Sequence, residues 1–122
     1  MDTKKILNLD YRDPENQEII QKVLRQIKPL SRFSEETEIP LSAIERAISV
    51  MCKKYNMRVS NICSDVYGND TLIIWRASII TEHNYKTVWV VHGISMYELM
   101  AKVAIALYAE VKKGAKIRKE NL

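Results

Sequence analysis

Two cysteines, two histidines, three glycines and one phenylalanine are all that this chain of 122 residues holds of those types. Each scarcity removes a class of chemistry. Cys52 and Cys63 lack paired spacing, one falling in a helical pattern and one in a strand pattern, so no disulfide framework or Cys-x-x-Cys motif can be built and both read as reduced core thiols. His83 and His92 form no His-x-x-x-His pair, and a metal site is not expected. Gly68, Gly93 and Gly114 cannot make a glycine-rich phosphate loop, and no G-x-S-x-G elbow exists. No apolar run approaches the roughly 18 residues of a membrane span, and Met1-Asp2-Thr3-Lys4-Lys5 leads into nothing like a signal-peptide core. The expectation is a cytoplasmic protein with no membrane association, no cofactor and no catalytic residues.

What is present suits one globular unit. Hydrophobic residues make up 47% and charged residues 28%, an ordinary balance for a chain long enough to bury one core. Residues 1–114 read as a single domain and 115–122 as a basic tail. The net charge of +4 is local, because Lys112, Lys113, Lys116, Arg118 and Lys119 against Glu120 account for the whole excess. A neutral domain with a basic end is not a protein that coats duplex nucleic acid, and such cations also suit the negative end of a helix dipole.

Periodicity gives an α+β fold with two N-terminal helices, a three-stranded antiparallel meander and a long C-terminal helix. Asp13-Pro14 is a helix start, with Asp13 as cap and Pro14 where a missing N–H costs nothing. Ile19, Ile20, Val23, Leu24 and Ile27 form the stripe of this helix, which ends near Pro29. A second helix is expected from Ser42, with capping-box spacing to Glu45 and a stripe of Ile44, Ala47, Ile48, Met51, Cys52 and Tyr55. From Met57 the period moves towards two, and strands are expected at about 57–66, 71–80 and 87–92. Ser95 and Glu98 then spell a reciprocal capping box, Ile94 is placed to staple onto Leu99, and Gly114 marks the end of the last helix. Glu98, Lys102, Ala109 and Lys113 share a narrow face of it. Met96, Leu99, Met100, Val103, Ala104, Ala106, Leu107, Tyr108 and Val111 fill an apolar arc too wide for one sheet, so the helix needs other helices of the chain or a second subunit. The strands lack the alternation of a water-facing side, which predicts a covered second face, as in a helix/sheet/helix sandwich or an oligomer.

The catalytic inventory is short. His92-Gly93-Ile94-Ser95 sets a base near a hydroxyl, but Ser95 is accounted for as a cap and no carboxylate at useful spacing orients His92. Glu35, Glu36 and Glu38 read as a solvated acidic loop. Binding residues are more evident: Arg25, Arg32, Arg58, Arg76 and Arg118 offer planar forks for phosphate, and Phe33, Trp75, Tyr85, Trp89 and Tyr97 offer flat surfaces. N–H groups around Ser95 add a positive helix end. Each has a plainer reading, since Arg58 and Arg76 also fit the polar faces of strands and Trp75 and Trp89 also fit the core. Phe33 equally fits a plug for its own core.

The helix ending Met51-Cys52-Lys53-Lys54-Tyr55-Asn56, the Trp75-Arg76-Ala77 strand, the Trp89-Val90-Val91-His92-Gly93 strand and the segment from Ser95-Met96-Tyr97-Glu98-Leu99-Met100 to Gly114 resemble phage "ABA sandwich" domains. More narrowly, nearly the whole chain resembles the first family of phage Thoeris anti-defence proteins. The resemblance implies an oligomeric sponge, a dimer or larger, that sequesters a cyclic ADP-ribose isomer, or a cyclic oligonucleotide, without cleaving it, so that the bacterial immune effector stays silent. Within that reading Arg58 and Arg118 are placed at phosphate, Phe33 and Trp75 at a base, Arg32 and Tyr97 as pocket partners and Ser95 at the helix end. A small phage protein that binds a host protein through an apolar helix face, and a hydrolase that opens a cyclic nucleotide, are the alternatives.

Overall fold

Asp13 caps the first helix as its sequence requires: its carboxylate accepts from the Glu15 N–H at 3.4 Å and Pro14 takes the first helical position. The computed structural model describes residues 9–25, 39–67, 72–81 and 85–115. Ile27, Arg32, Phe33, the acidic loop, His83 and Arg118 lie outside them. The described elements run α1 (Pro14–Leu24), α2 (Leu41–Lys54), β1 (Met57–Tyr67), β2 (Leu72–Thr81), β3 (Lys86–Gly93) and α3 (Met96–Lys112). This is the expected α+β order. The sheet is antiparallel with strand order β1-β2-β3.

The start of α2 differs from the expectation. Its cap is Pro40, whose carbonyl accepts from the N–H groups of Ala43 and Ile44 at 3.0 and 3.2 Å, with no side-chain cap. Proline's fixed φ already sets the entrance to the helix, which leaves Ser42 one residue inside and unable to cap it.

Helix α3 is the centre of the molecule. Every residue from Leu99 to Leu107 is buried, and α1, α2, β2 and β3 all contact this helix. Its wide apolar arc is therefore covered by its own chain, the first of the two solutions open to it. Lys102 is buried as well, at 4% exposure. The Ser95 box is half made: Ser95 Oγ accepts from the Glu98 N–H at 3.1 Å, but the Glu98 carboxylate turns to Lys102 Nζ at 2.9 Å. Ile94 makes no staple and stays 69% exposed. At the other end Gly114, at φ 97°, allows its own N–H to reach Val111 O and that of Ala115 to reach Glu110 O, at 3.0 and 3.1 Å. This pair of bonds closes the helix in a Schellman turn.

The core joins all three described helices to one face of the sheet, through Met57, Ala77, Ile79, Trp89 and Val91. Trp89 is 6% exposed and donates from Nε1 to Glu110 Oε1 at 2.7 Å. Gly93 is required by packing: a Cβ there would lie 2.7 Å from Leu99 N, so only glycine lets the first turn of α3 settle onto β3.

Candidate functional site

The register decides which side chains share the second face. Arg58 pairs with Ile80, Ser60 with Ser78 and Cys63 with Arg76 on the β1 side, while Val90 pairs with Ser78 and His92 with Arg76 on the β3 side. Paired residues project to the same side. Arg58, Ser60, Cys63, Arg76, Ser78, Ile80, Val90 and His92 therefore look away from the helical core, and Ile80 and Val90 have no place in that core. Asp65, opposite Ile74, is the one carboxylate among the described strand residues of this face.

A one-residue bulge in β1 shapes the face. Between Ser60 and Cys63 the ladder slips, and Asn61 takes the left-handed conformation at φ 56°, which asparagine tolerates better than most residues. The extra residue restores Cys63 and Asp65 to the open side. Beside the bulge is a hollow of about 370 Å³ lined by Asn61, Ile62, Cys63, Arg76, Ser78 and Val90. Arg76 Nη2 donates to Cys63 Sγ at 3.4 Å, and His92 completes the row across the three strands.

Burial, and then the neighbouring charges of Arg76 and Lys102, hold His92 below the usual imidazole pKa, with Asp65 opposing them. Its Nδ1 is buried without a hydrogen-bond partner. At the far end of the face, the Arg58 guanidinium lies 5.6 Å from the centre of the Tyr85 ring. Arg76 and Ile80, the β2 partner of Arg58, stand four positions apart on β2, which sets the two arginines about 13 Å apart along the strand.

The sequence-expected binding residues are divided by this geometry. Arg58 is on the open face. Trp75 pairs with Ser64 and Gly93 and packs against the helical core, on the opposite side. Ser95 is engaged as the cap of α3. Tyr97 donates its hydroxyl to Ile39 O at 2.6 Å and sits 5.8 Å from the Tyr11 ring, fastening α3 to the segment that leads into α2. Arg32, Phe33 and Arg118 lie outside the described residues. Asn61 and Cys63 were missed because nothing in the sequence announces the slip, apart from an asparagine at its centre, and Ser78 and His92 because their place beside Arg76 follows from the strand pairing.

A second hollow, about 570 Å³, lies between α1 and the end of α3 and includes Glu15, Glu18, Lys22, Tyr108, Lys112 and Lys113. Its cations are engaged: Lys22 and Lys112 sit 6.0 and 5.6 Å from the Tyr108 ring, and Lys113 sits 5.5 Å from that of Trp89. With glutamates beside them, this is a mixed surface rather than an anion seat.

Compared with family models, curated proteins and solved structures, the chain has no match. Among the described residues no three His, Cys, Asp or Glu side chains gather as metal ligands, and no helix is long and apolar enough to cross a membrane. This second sheet face, exposed at Arg58 and Arg76 but buried at Ser78 and Ile80 as the expected covering requires, is the candidate site, and its exposed part is the open face.

Proposed function

We propose that the protein binds a cyclic, pyrophosphate-containing nucleotide, of the class of cyclic ADP-ribose isomers, on the open sheet face and holds it uncleaved. The setting is the cytoplasm of an infected bacterium, where a phage anti-defence protein of this kind withdraws an immune signal from its effector. The observation that carries the reading is the placement of Arg58 and Arg76 on one face, with a hollow between Arg76 and the bulge. Charge-assisted contacts from arginine to phosphate are worth about 1.5–3 kcal/mol each. Nanomolar retention needs roughly −12 kcal/mol, so a sponge requires several such contacts in a preformed site. A sheet face supplies rigidity that a loop would not.

Assembly into an oligomer belongs to the same proposal. Val66 and Ile73 face each other across β1 and β2 and remain exposed, as does Ile62. This apolar end of the hairpin is available to a second copy. The alternative of a host-protein partner loses the surface first assigned to it, because the apolar face of α3 is occupied within the chain.

The test is calorimetry with cyclic ADP-ribose isomers, followed by heat denaturation and recovery of the ligand. Binding with unaltered ligand is expected, and Arg76→Ala should weaken it by about tenfold or more. Recovery of opened ligand would replace the sponge by a hydrolase, and no heat with any isomer would end the nucleotide reading.

A further inference from the structure

Tyr85 stands at the β2–β3 turn with φ 53°, a left-handed backbone that glycine or asparagine adopts at far lower cost. The residue does not recover that cost by burial. It is 72% exposed and takes no part in the core. Its ring is instead met by the Arg58 guanidinium at 5.6 Å, and Arg58 belongs to the same face as Arg76. Residues held in such sparsely populated backbone conformations cluster at active sites and ligand clamps.

A tyrosine ring and a guanidinium plane offer flat surfaces to another flat group, and guanidinium stacks on aromatic faces as readily as it pairs with phosphate. Trp75 and Trp89 face the helices and cannot serve this end of the open face. We propose that Tyr85 and Arg58 form the seat for a planar aromatic ring, the base of a nucleotide whose anionic groups extend towards Arg76. The assignment rests on the nucleotide reading of the open face and gives that face a direction, base at the turn and phosphate at the bulge.

The seat accounts for both arginines in different ways. Arg76, beside a hollow with Cys63 and Ser78 in its wall, can meet an oxyanion. Arg58, already over a ring, is suited to stacking. The separation of about 13 Å along β2 is one that a base, a ribose and a diphosphate can bridge in extended form.

Two substitutions test the seat, read by calorimetry with a cyclic ADP-ribose isomer and by thermal melting. Tyr85→Gly relieves the backbone, so its melting temperature should equal or exceed that of the wild type, while affinity should fall roughly tenfold or more through loss of stacking. Tyr85→Trp, which keeps a flat ring, should hold the wild-type affinity within about threefold. Unchanged affinity in Tyr85→Gly, or equal losses in both variants, would overturn the seat and leave the nucleotide reading intact. No binding to the wild-type protein would remove both.

Discussion

A buried lysine has to be explained by its partners, and Lys102 has two: Glu98 Oε1 at 2.9 Å and the His92 carbonyl at 3.1 Å. The spacing of the two side chains was legible as an i, i+4 pair on one face of a helix. The burial of Lys102 was not, because it arises from β3 closing over that face, which no helical wheel contains. Glu98 keeps some exposure, 21% against 5% for the Lys102 side chain, so removing the carboxylate strands a buried charge and costs more than removing the cation. Glu98→Ala is expected to destabilise by about 2 kcal/mol and Lys102→Met by less than half of that, in urea titrations of each variant. His92 gives a pH dependence of definite sign. Its folded pKa lies below the unfolded value, so the unfolded chain binds the proton more readily. Stability from this residue is complete above about pH 6.5 and declines as the pH falls through that value towards the lower, folded pKa. The melting temperature should therefore drop between pH 7 and pH 5, and the drop should be smaller in His92→Phe. An equal drop in the variant would assign the effect to other groups.

At the scale of elements, helices and strands follow from periodicity, and their ends follow where a side chain sets them. Asp13-Pro14, Ser95 and Gly114 were readable because each solves a local problem of unpaired N–H or C=O groups. Ser42 failed because Pro40 imposes the entrance first. Gly93 was read only as a glycine too isolated for a phosphate loop. Its real task is tertiary: with Leu99 N only 2.7 Å from an added Cβ, β3 and α3 meet more closely than any side chain permits. Gly93→Ala should lower stability by about 2–3 kcal/mol, seen as a lower denaturant midpoint with an unchanged slope. A neutral substitution would mean that α3 can shift away from the sheet.

For the whole molecule, the layering that brings three helices to one face leaves the other to display Arg58 and Arg76. The side taken by Arg76 was within reach of the sequence, since Arg76 and Ser78 interrupt an otherwise apolar strand two residues apart, while that of Arg58 follows from its pairing with Ile80. Their neighbours were not, since the ladder slip can be seen only in the pairing. If the exposed Val66–Ile73 end joins copies, light scattering at micromolar concentration should give a multiple of 14.2 kDa, and Val66→Asp should return the monomer. A wild-type mass of one chain would count against assembly. The slip at Asn61 also makes the sheet and the hollow separable. β1 carries one residue more than its ladder needs, so a gene shorter by the codon for Ile62 would still pair Cys63 with Arg76 and keep Asp65 on the open side. Such a protein would fold on the same plan with a flat wall where the hollow was, so recognition could be lost or reshaped by a change in length alone while the architecture passed on unaltered.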